Sequence, residues 1–277
     1  MNNRIKIGFF GTPQYAVTVL EKMVEANIEI AFVVTMPDMP KGRKMIITAP
    51  PAKEWAIKNN IPVYQPDTLR NGNIEDELKK HNCDVFVVMA YGKIIPDSIL
   101  KIPKYESLNI HPSLLPKLRG SSPIESAILN DEKENGVTII KMDAEMDHGP
   151  IVAQMKVEIE NWPVRADILG NILVNQGADL LIEVLPKWIR NEIVATEQDH
   201  SKATFTKKIK KEDGEIDLNN DPYQNFLKIQ AYHDWPSAFF FENGKRMKIT
   251  QASFKNGELR IEKVIPEGKS EVNYQKK

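Results

Sequence analysis

At 277 residues, 42% of them hydrophobic, the chain is long for one compact domain and comfortable for two, with enough apolar residues for a sizeable core. Its single cysteine, Cys83, excludes an internal disulfide and a thiolate zinc cluster. The formal net charge of −1 is unevenly spread: residues 1–200 carry 22 Lys+Arg against 27 Asp+Glu, whereas residues 201–277 carry 15 against 11, a basic tail that suits a polyanionic partner or a solvated lysine-rich surface.

Met1 leads through Asn2-Asn3-Arg4 straight into an apolar run, without a signal-peptide pattern, and no apolar stretch nears 18 residues, so a soluble cytoplasmic protein is expected. The run Ile5 to Phe10 reads as a strand ending at Gly11-Thr12-Pro13, where Thr12 can cap and Pro13 can open a helix through Val17, Leu20 and Met23. A strand at residues 28–35, a helix near 52–58, a short strand at 61–64, a helix near 74–80 and a buried strand at 84–90 continue the alternation. Cys83 falls at the head of that last strand and reads as a small core residue. Such alternation predicts an α/β fold: a mainly parallel, Rossmann-like sheet with helices on both faces.

The strand at 107–111 delivers Asn109 and His111 at its carboxyl end, where open α/β sheets place ligands. Beyond it, Ser122-Pro123-Ile124-Glu125 reads as a capping box opening a helix through Ile128. Strands at 137–142 and 151–157 flank the turn Glu145-Met146-Asp147-His148-Gly149-Pro150, and residues 165–188 have helical apolar spacing, with Gly170 and Gly177 as weak points. Residues 189–204 are polar and mixed, suiting a linker between an N-terminal domain, 1–188, and a small β-rich domain, 205–277. In the latter, strands at 238–241, 247–249 and 259–264 are separated by Asn243-Gly244 and Asn256-Gly257, a strong hairpin signal.

Asn109 and His111 alternate across one residue, so their side chains emerge on the same face of the strand. Asn offers an uncharged donor to a carbonyl oxygen gaining negative charge; His lends or accepts a proton near neutral pH; Asp147 could supply the partner carboxylate. No Ser or Cys stands as a nucleophile with its own base, which favours direct transfer between two substrates over a covalent intermediate. Gly8 and Gly11 do not complete Gly-x-Gly-x-x-Gly, so no NAD is implied, and no His pair has metal-ligand spacing, so no metal is expected.

The run Asn109-Ile110-His111-Pro112-Ser113-Leu114-Leu115-Pro116-Lys117-Leu118-Arg119-Gly120, with Met146-Asp147-His148-Gly149-Pro150 downstream, resembles the paired signatures of the formyltransferases that use 10-formyltetrahydrofolate. The resemblance implies that Asn109, His111 and Asp147 are the catalytic set. It implies that Ser113, Leu114, Leu115 and Pro116 contact the folate, and that Met89, Tyr91, Ile94 and Ile95, in Met89-Ala90-Tyr91-Gly92-Lys93-Ile94-Ile95-Pro96, surround the pterin. The proline-rich loop 35–52, with basic Lys41, Arg43 and Lys44, looks like the one that the tRNA-directed branch of the family inserts against the acceptor arm. The formyl acceptor would then be the free α-amine of methionyl initiator tRNA, bound by a monomeric enzyme through contacts that weaken with salt.

Further similarity lies in Ile61-Pro62-Val63-Tyr64-Gln65-Pro66, Ala203-Thr204-Phe205-Thr206-Lys207-Lys208-Ile209, Trp235-Pro236-Ser237-Ala238 and Pro266-Glu267-Gly268-Lys269, so it covers nearly the whole chain. The departures are Leu118 in place of an aromatic, Lys44 in place of glycine, His148 in place of a small residue, and a C-terminal domain with room for only a reduced oligonucleotide-binding-like barrel. The alternatives are a formyltransferase acting on a nucleotide-linked amino sugar, a formyltetrahydrofolate hydrolase, and a nucleic-acid-binding protein that kept the fold without the chemistry.

Overall fold

The computed structural model describes residues 4–42, 45–70 and 74–275. Chain contacts divide it into two compact units, the first made of residues 1–119, 136–157 and 172–204 and the second of 120–135, 158–171 and 205–277.

In the first unit, β1 (Lys6–Gly11), α1 (Gln14–Glu25), β2 (Glu29–Val34), a small hairpin of β3 (Met39–Lys41) and β4 (Ile46–Thr48), α2 (Pro51–Lys58), β5 (Val63–Tyr64), α3 (Glu75–Lys80), β6 (Val85–Met89), α4 (Asp97–Leu100) and β7 (Ser107–His111) follow one another. After α5 (Pro123–Leu129), which belongs to the second unit, come β8 (Asn135–Lys141), β9 (Ile151–Val157) and α6 (Ala166–Ile189). The seven-stranded sheet has the order β5-β2-β1-β6-β7-β8-β9. Strands β5 to β7 pair in parallel and β8 runs antiparallel to β7. The chain steps outward from β1 to β2 and β5, then returns to the other side of β1 at β6, the topological switch at which such sheets open a crevice beyond their carboxyl ends.

The period of two in the strands sorts the core onto both faces. Ile7, Phe9, Val85, Val87, Leu108 and Ile110 face α1 and α6, whereas Phe10, Phe32, Phe86 and Val88 face Leu78, Ile99 and Leu100. Strands buried on both sides need helices on both sides, and the near-continuous apolar runs were the sign of it. Cys83 lies in the second layer, where burial pushes its thiol up to about 12.

Helix α6 packs Val174, Ala178, Leu181, Val184 and Leu185 into the first layer. At 24 residues it is long and apolar enough to cross a membrane by length and composition alone, which corrects the expectation that no stretch approaches that size; half of its most apolar window is buried within the protein. Gly177 lets it settle against the sheet, since a Cβ there would stand 2.7 Å from Ile110 Cγ2 and 3.5 Å from Val137 Cγ1. Gly177→Ala is therefore expected to cost about 1–3 kcal/mol by overpacking, despite alanine's better helix propensity, as read by the midpoint of urea unfolding. An unchanged or raised midpoint would show that the helix has room to retreat.

Three local expectations are corrected. Pro13 occupies the N-cap of α1 and not its first turn, and the Thr12 hydroxyl donates to Tyr91 O at 2.7 Å instead of capping. Ser122 makes no side-chain cap bond: its backbone, at φ −140° and ψ 51°, is not the extended conformation of a capping serine, although Pro123 does open α5. The loop 35–52 contains the β3–β4 hairpin, paired from Met39↔Thr48 to Lys41↔Ile46. Its strands are three residues long with mostly exposed side chains, so no alternation announced them.

The second unit packs α5 against α7 (Pro222–Ala231) and carries a four-stranded antiparallel sheet of β10 (Phe239–Glu242), β11 (Lys245–Lys255), β12 (Glu258–Pro266) and β13 (Val272–Asn273). Both Asn-Gly pairs make the expected tight hairpins, with φ of 50° and 73° at Asn243-Gly244 and 52° and 81° at Asn256-Gly257. Strand β11 runs well beyond the three residues read from its apolar core, because its outer half alternates polar residues that pair with β12. Ile216, Ile229, Phe240, Ile249 and Val264 form the core of this unit.

Candidate active site

Strand β7 is wholly buried, and Asn109 and His111, 8% and 4% exposed, stand on one of its faces. Burial of two polar side chains is costly unless their polar atoms are used. His111 Nε2 lies 3.0 Å from Leu118 O; a carbonyl only accepts, so this nitrogen carries the hydrogen and Nδ1 is the side of the ring left to do chemistry. Leu118 itself has φ +60°, which turns its carbonyl back toward the strand end.

Asp147 arrives from the turn between β8 and β9 with φ +52°, in the left-handed region that Asp tolerates better than most residues. Its Oδ1 stands 3.5 Å from His111 Nδ1 and 3.5 Å from Asn109 Nδ2. Both separations exceed the roughly 2.9 Å of a good hydrogen bond, so imidazole and amide converge on one small volume without being consumed by the carboxylate. Three groups, a neutral donor, an imidazole and an acid, thus meet at the carboxyl end of a central strand.

The turn that carries Asp147 is tightly determined. Lys141 N donates to Pro150 O at 2.9 Å, Glu145 N donates to Asp143 Oδ1 at 2.9 Å, and His148 Nδ1 sits 2.7 Å from Asp143 Oδ2. Gly149 presses on the adjoining strand so closely that a Cβ would overlap the carbonyl oxygen of Lys141. His148 stacks on His200, with ring centroids 4.1 Å apart and planes 2° from parallel. Ile151 and Thr196 exchange backbone hydrogen bonds of 2.7 and 2.8 Å, so residues 196–200, read from sequence as a featureless polar stretch, run alongside the acid turn.

The segment after His111 is fixed by polar side chains, two of them, Ser113 and Thr138, buried. Ser113 Oγ donates to Lys117 O at 2.7 Å, Thr138 Oγ1 donates to Ser113 O at 2.6 Å, and Gln154 Nε2 donates to Leu115 O at 2.8 Å. Leu115 is buried, Leu114 lies over Gly136, and Pro116 is half-buried with its carbonyl accepting from Thr204 N. None of Thr138, Gln154 or Gln198 was singled out in the sequence; an isolated Thr or Gln on a strand or in a polar run has no pattern to mark it.

At the end of β6, paired in parallel to β7, Met89, Tyr91 and Ile95 are buried while Ile94 is 74% exposed. Thr12 holds Tyr91 O, and Lys93 Nζ donates to Pro66 O and Asp67 O at 2.9 and 2.8 Å, tying this loop to its neighbour. The Tyr91 hydroxyl is buried without a hydrogen-bond partner, and burial pushes it up to about 12. Met89 packs into the first apolar layer and Tyr91 and Ile95 into the second, so of these four side chains only Ile94 is presented to solvent.

The β3–β4 hairpin exposes Met39, Met45, Ile46 and Ile47 beside Lys41, while Arg43 and Lys44 lie outside the described residues. Its base is anchored by Asp38, which accepts from Lys53 Nζ and Gln65 Nε2 at 2.8 Å each; the lysine bond, then the glutamine bond, hold its carboxyl below the usual range. Among the described residues no group of three or more His, Cys, Asp or Glu is arranged to hold a metal ion.

Residues 4–185 match the formyl transferase family, and residues 208–263 match the formyl transferase C-terminal domain. The chain is 44% identical over 249 residues to a methionyl-tRNA formyltransferase of Chloroflexus aurantiacus, a match covering 90% of this chain and 80% of the relative. It is 37% identical over 303 residues to the methionyl-tRNA formyltransferase of Dictyoglomus thermophilum, covering 98% of this chain and 95% of that one. Among solved structures it is similar to methionyl-tRNA formyltransferase from Clostridium thermocellum, with a TM-score of 0.64, 18% identity and coverage of 95% and 99% of the two chains, which supports the fold.

Proposed function

The chain belongs to the formyl transferase family, and we propose that it moves the formyl group of 10-formyltetrahydrofolate directly onto the free α-amine of methionyl initiator tRNA. The convergence of Asn109, His111 and Asp147 within 3.5 Å contacts is the observation that carries the chemistry. The relatives' shared activity and the hairpin at Lys41 support the acceptor.

The amine attacks the formyl carbon, and negative charge develops on the formyl oxygen. Asn109 Nδ2 donates to that oxygen, and protonated His111 Nδ1 is its second donor, with the ring held by the Nε2 bond to Leu118 O. Asp147 balances the imidazolium and takes the proton that the attacking nitrogen must lose. The tetrahedral adduct then collapses: the bond from the formyl carbon to the folate N10 breaks, and the proton taken up by Asp147 goes to that nitrogen. No enzyme-bound acyl group is required, since attack by the amine itself needs only the oxyanion donors and the proton acceptor.

We assign the pterin to the loop that carries Met89, Tyr91, Ile94 and Ile95, of which Ile94 is the exposed side chain, and the rest of the folate to Ser113, Leu114, Leu115 and Pro116. Lys41, with Arg43 and Lys44, attracts the acceptor-arm phosphates, and the exposed Met39, Ile46 and Ile47 offer apolar surface to the unpaired acceptor end. A cytoplasmic site of action goes with that acceptor. The test is an assay of the protein with 10-formyltetrahydrofolate and, in separate reactions, methionyl-tRNA, an amino-sugar nucleotide, or water alone. Formylmethionyl-tRNA is the expected product; formyl transfer confined to the sugar, or release of formate alone, refutes the acceptor.

A further inference from the structure

We propose that Gln198, clamped by Arg119, is a positioning residue for Asp147, a role that rests on the assignment of Asp147 to the reaction. Gln198 Nε2 donates to Asp147 O at 2.9 Å and to Gly149 O at 2.7 Å. Its Oε1 accepts from Arg119 Nη2 at 2.6 Å and from Nε at 3.2 Å. The amide thereby uses two donors and two acceptor positions, its full complement, and the arginine fixes which way round it sits. Gln198 and Arg119 are 4% and 3% exposed, so each bond forms away from water, where an unmade one is expensive.

The two carbonyls that Gln198 holds bracket the acid turn. Asp147 is in the left-handed region, a conformation an L-residue keeps only when its surroundings impose it, and Gly149 has no space to shift toward Lys141. Fixing the carbonyls on either side of His148 sets the direction in which the Asp147 side chain leaves the backbone. Released, the residue can relax, and the carboxylate swings from its place opposite His111 Nδ1 and Asn109 Nδ2. Arg119 comes eight residues after His111 on the same connection, so the clamp links the strand end bearing the imidazole to the turn bearing the acid. Arg119 Nη2 also lies 2.9 Å from His200 Nδ1, and His200 stacks on His148, so the far side of the turn is held by the same guanidinium.

The test is a double-mutant cycle of Gln198→Met, close in size but unable to hydrogen-bond, against Asp147→Asn, read by single-turnover formyl transfer with enzyme in excess. In the wild-type background Gln198→Met should lower the single-turnover rate constant roughly 10- to 100-fold, the scale of a displacement near 1 Å at a reacting group, with the affinities for folate and tRNA, titrated separately, little changed. In the Asp147→Asn background the same change should cost less than about 3-fold, because the group it positions is already gone. Equal losses in both backgrounds, or no loss in the first, overturn the proposal. Should Asp147→Asn retain full activity, the assignment of Asp147 falls and the positioning role with it, a result distinct from a silent Gln198. If Gln198→Met does not melt cooperatively, Gln198→Glu serves in the same cycle: it keeps the arginine partner but turns a carboxylate oxygen toward the two carbonyls, and it should show the same dependence on Asp147.

Discussion

Asp147→Asn is expected to lower formyl transfer by about 10²- to 10⁴-fold, the range for loss of a positioned proton-transfer group, while tetrahydrofolate still binds within a few-fold of its original affinity. The substitution keeps shape and removes charge. The amide cannot balance an imidazolium at His111, nor take up the proton that the attacking amine must lose, yet it still fits beside Asn109 Nδ2 at the 3.5 Å the carboxylate now keeps. Single-turnover rates with methionyl-tRNA and a folate titration measure the two quantities separately. A rate within a few-fold of the parent would remove Asp147 from the mechanism; a rate loss matched by lost folate affinity would make it a binding residue.

Asn109→Ala should cost about 10²- to 10³-fold in kcat, the usual loss when one preorganised oxyanion donor is deleted. The donor is buried, uncharged and mounted on a rigid central strand, so it is oriented before the substrate arrives and is most valuable when the formyl oxygen becomes negative. The loss should therefore fall on kcat more than on KM. An equal rise in KM with kcat preserved would mean that Asn109 grips the ground state instead.

The placement of Asn109 and His111 was legible because a strand has a period of two and β7 has the bounds its apolar run announced. The doubly covered sheet was legible for a similar reason: consecutive apolar residues in short runs, separated by helical spacing, have no other economical packing. The β3–β4 hairpin was not, since Pro40 interrupts its first strand and both strands expose their side chains, leaving only a proline-rich loop to be read. Gln198 was invisible for a deeper reason. Its partners are backbone carbonyls 51 and 49 residues away, and any residue has a carbonyl, so nothing at positions 147 or 149 signals that a glutamine is needed elsewhere. Thr12 shows the converse: its type suited a cap, but the tertiary bond to Tyr91 O took the hydroxyl.

The second unit is assembled from three separated stretches of the chain, with α5 packed on α7 nearly a hundred residues later. During synthesis the apolar face of α5, with Pro123, Ile124, Ala127 and Ile128, leaves the ribosome long before its cover exists. A nascent chain halted before α7 therefore displays the apolar face of α5 without that cover, a natural handle for a chaperone, and folding of this unit awaits the last fifth of translation.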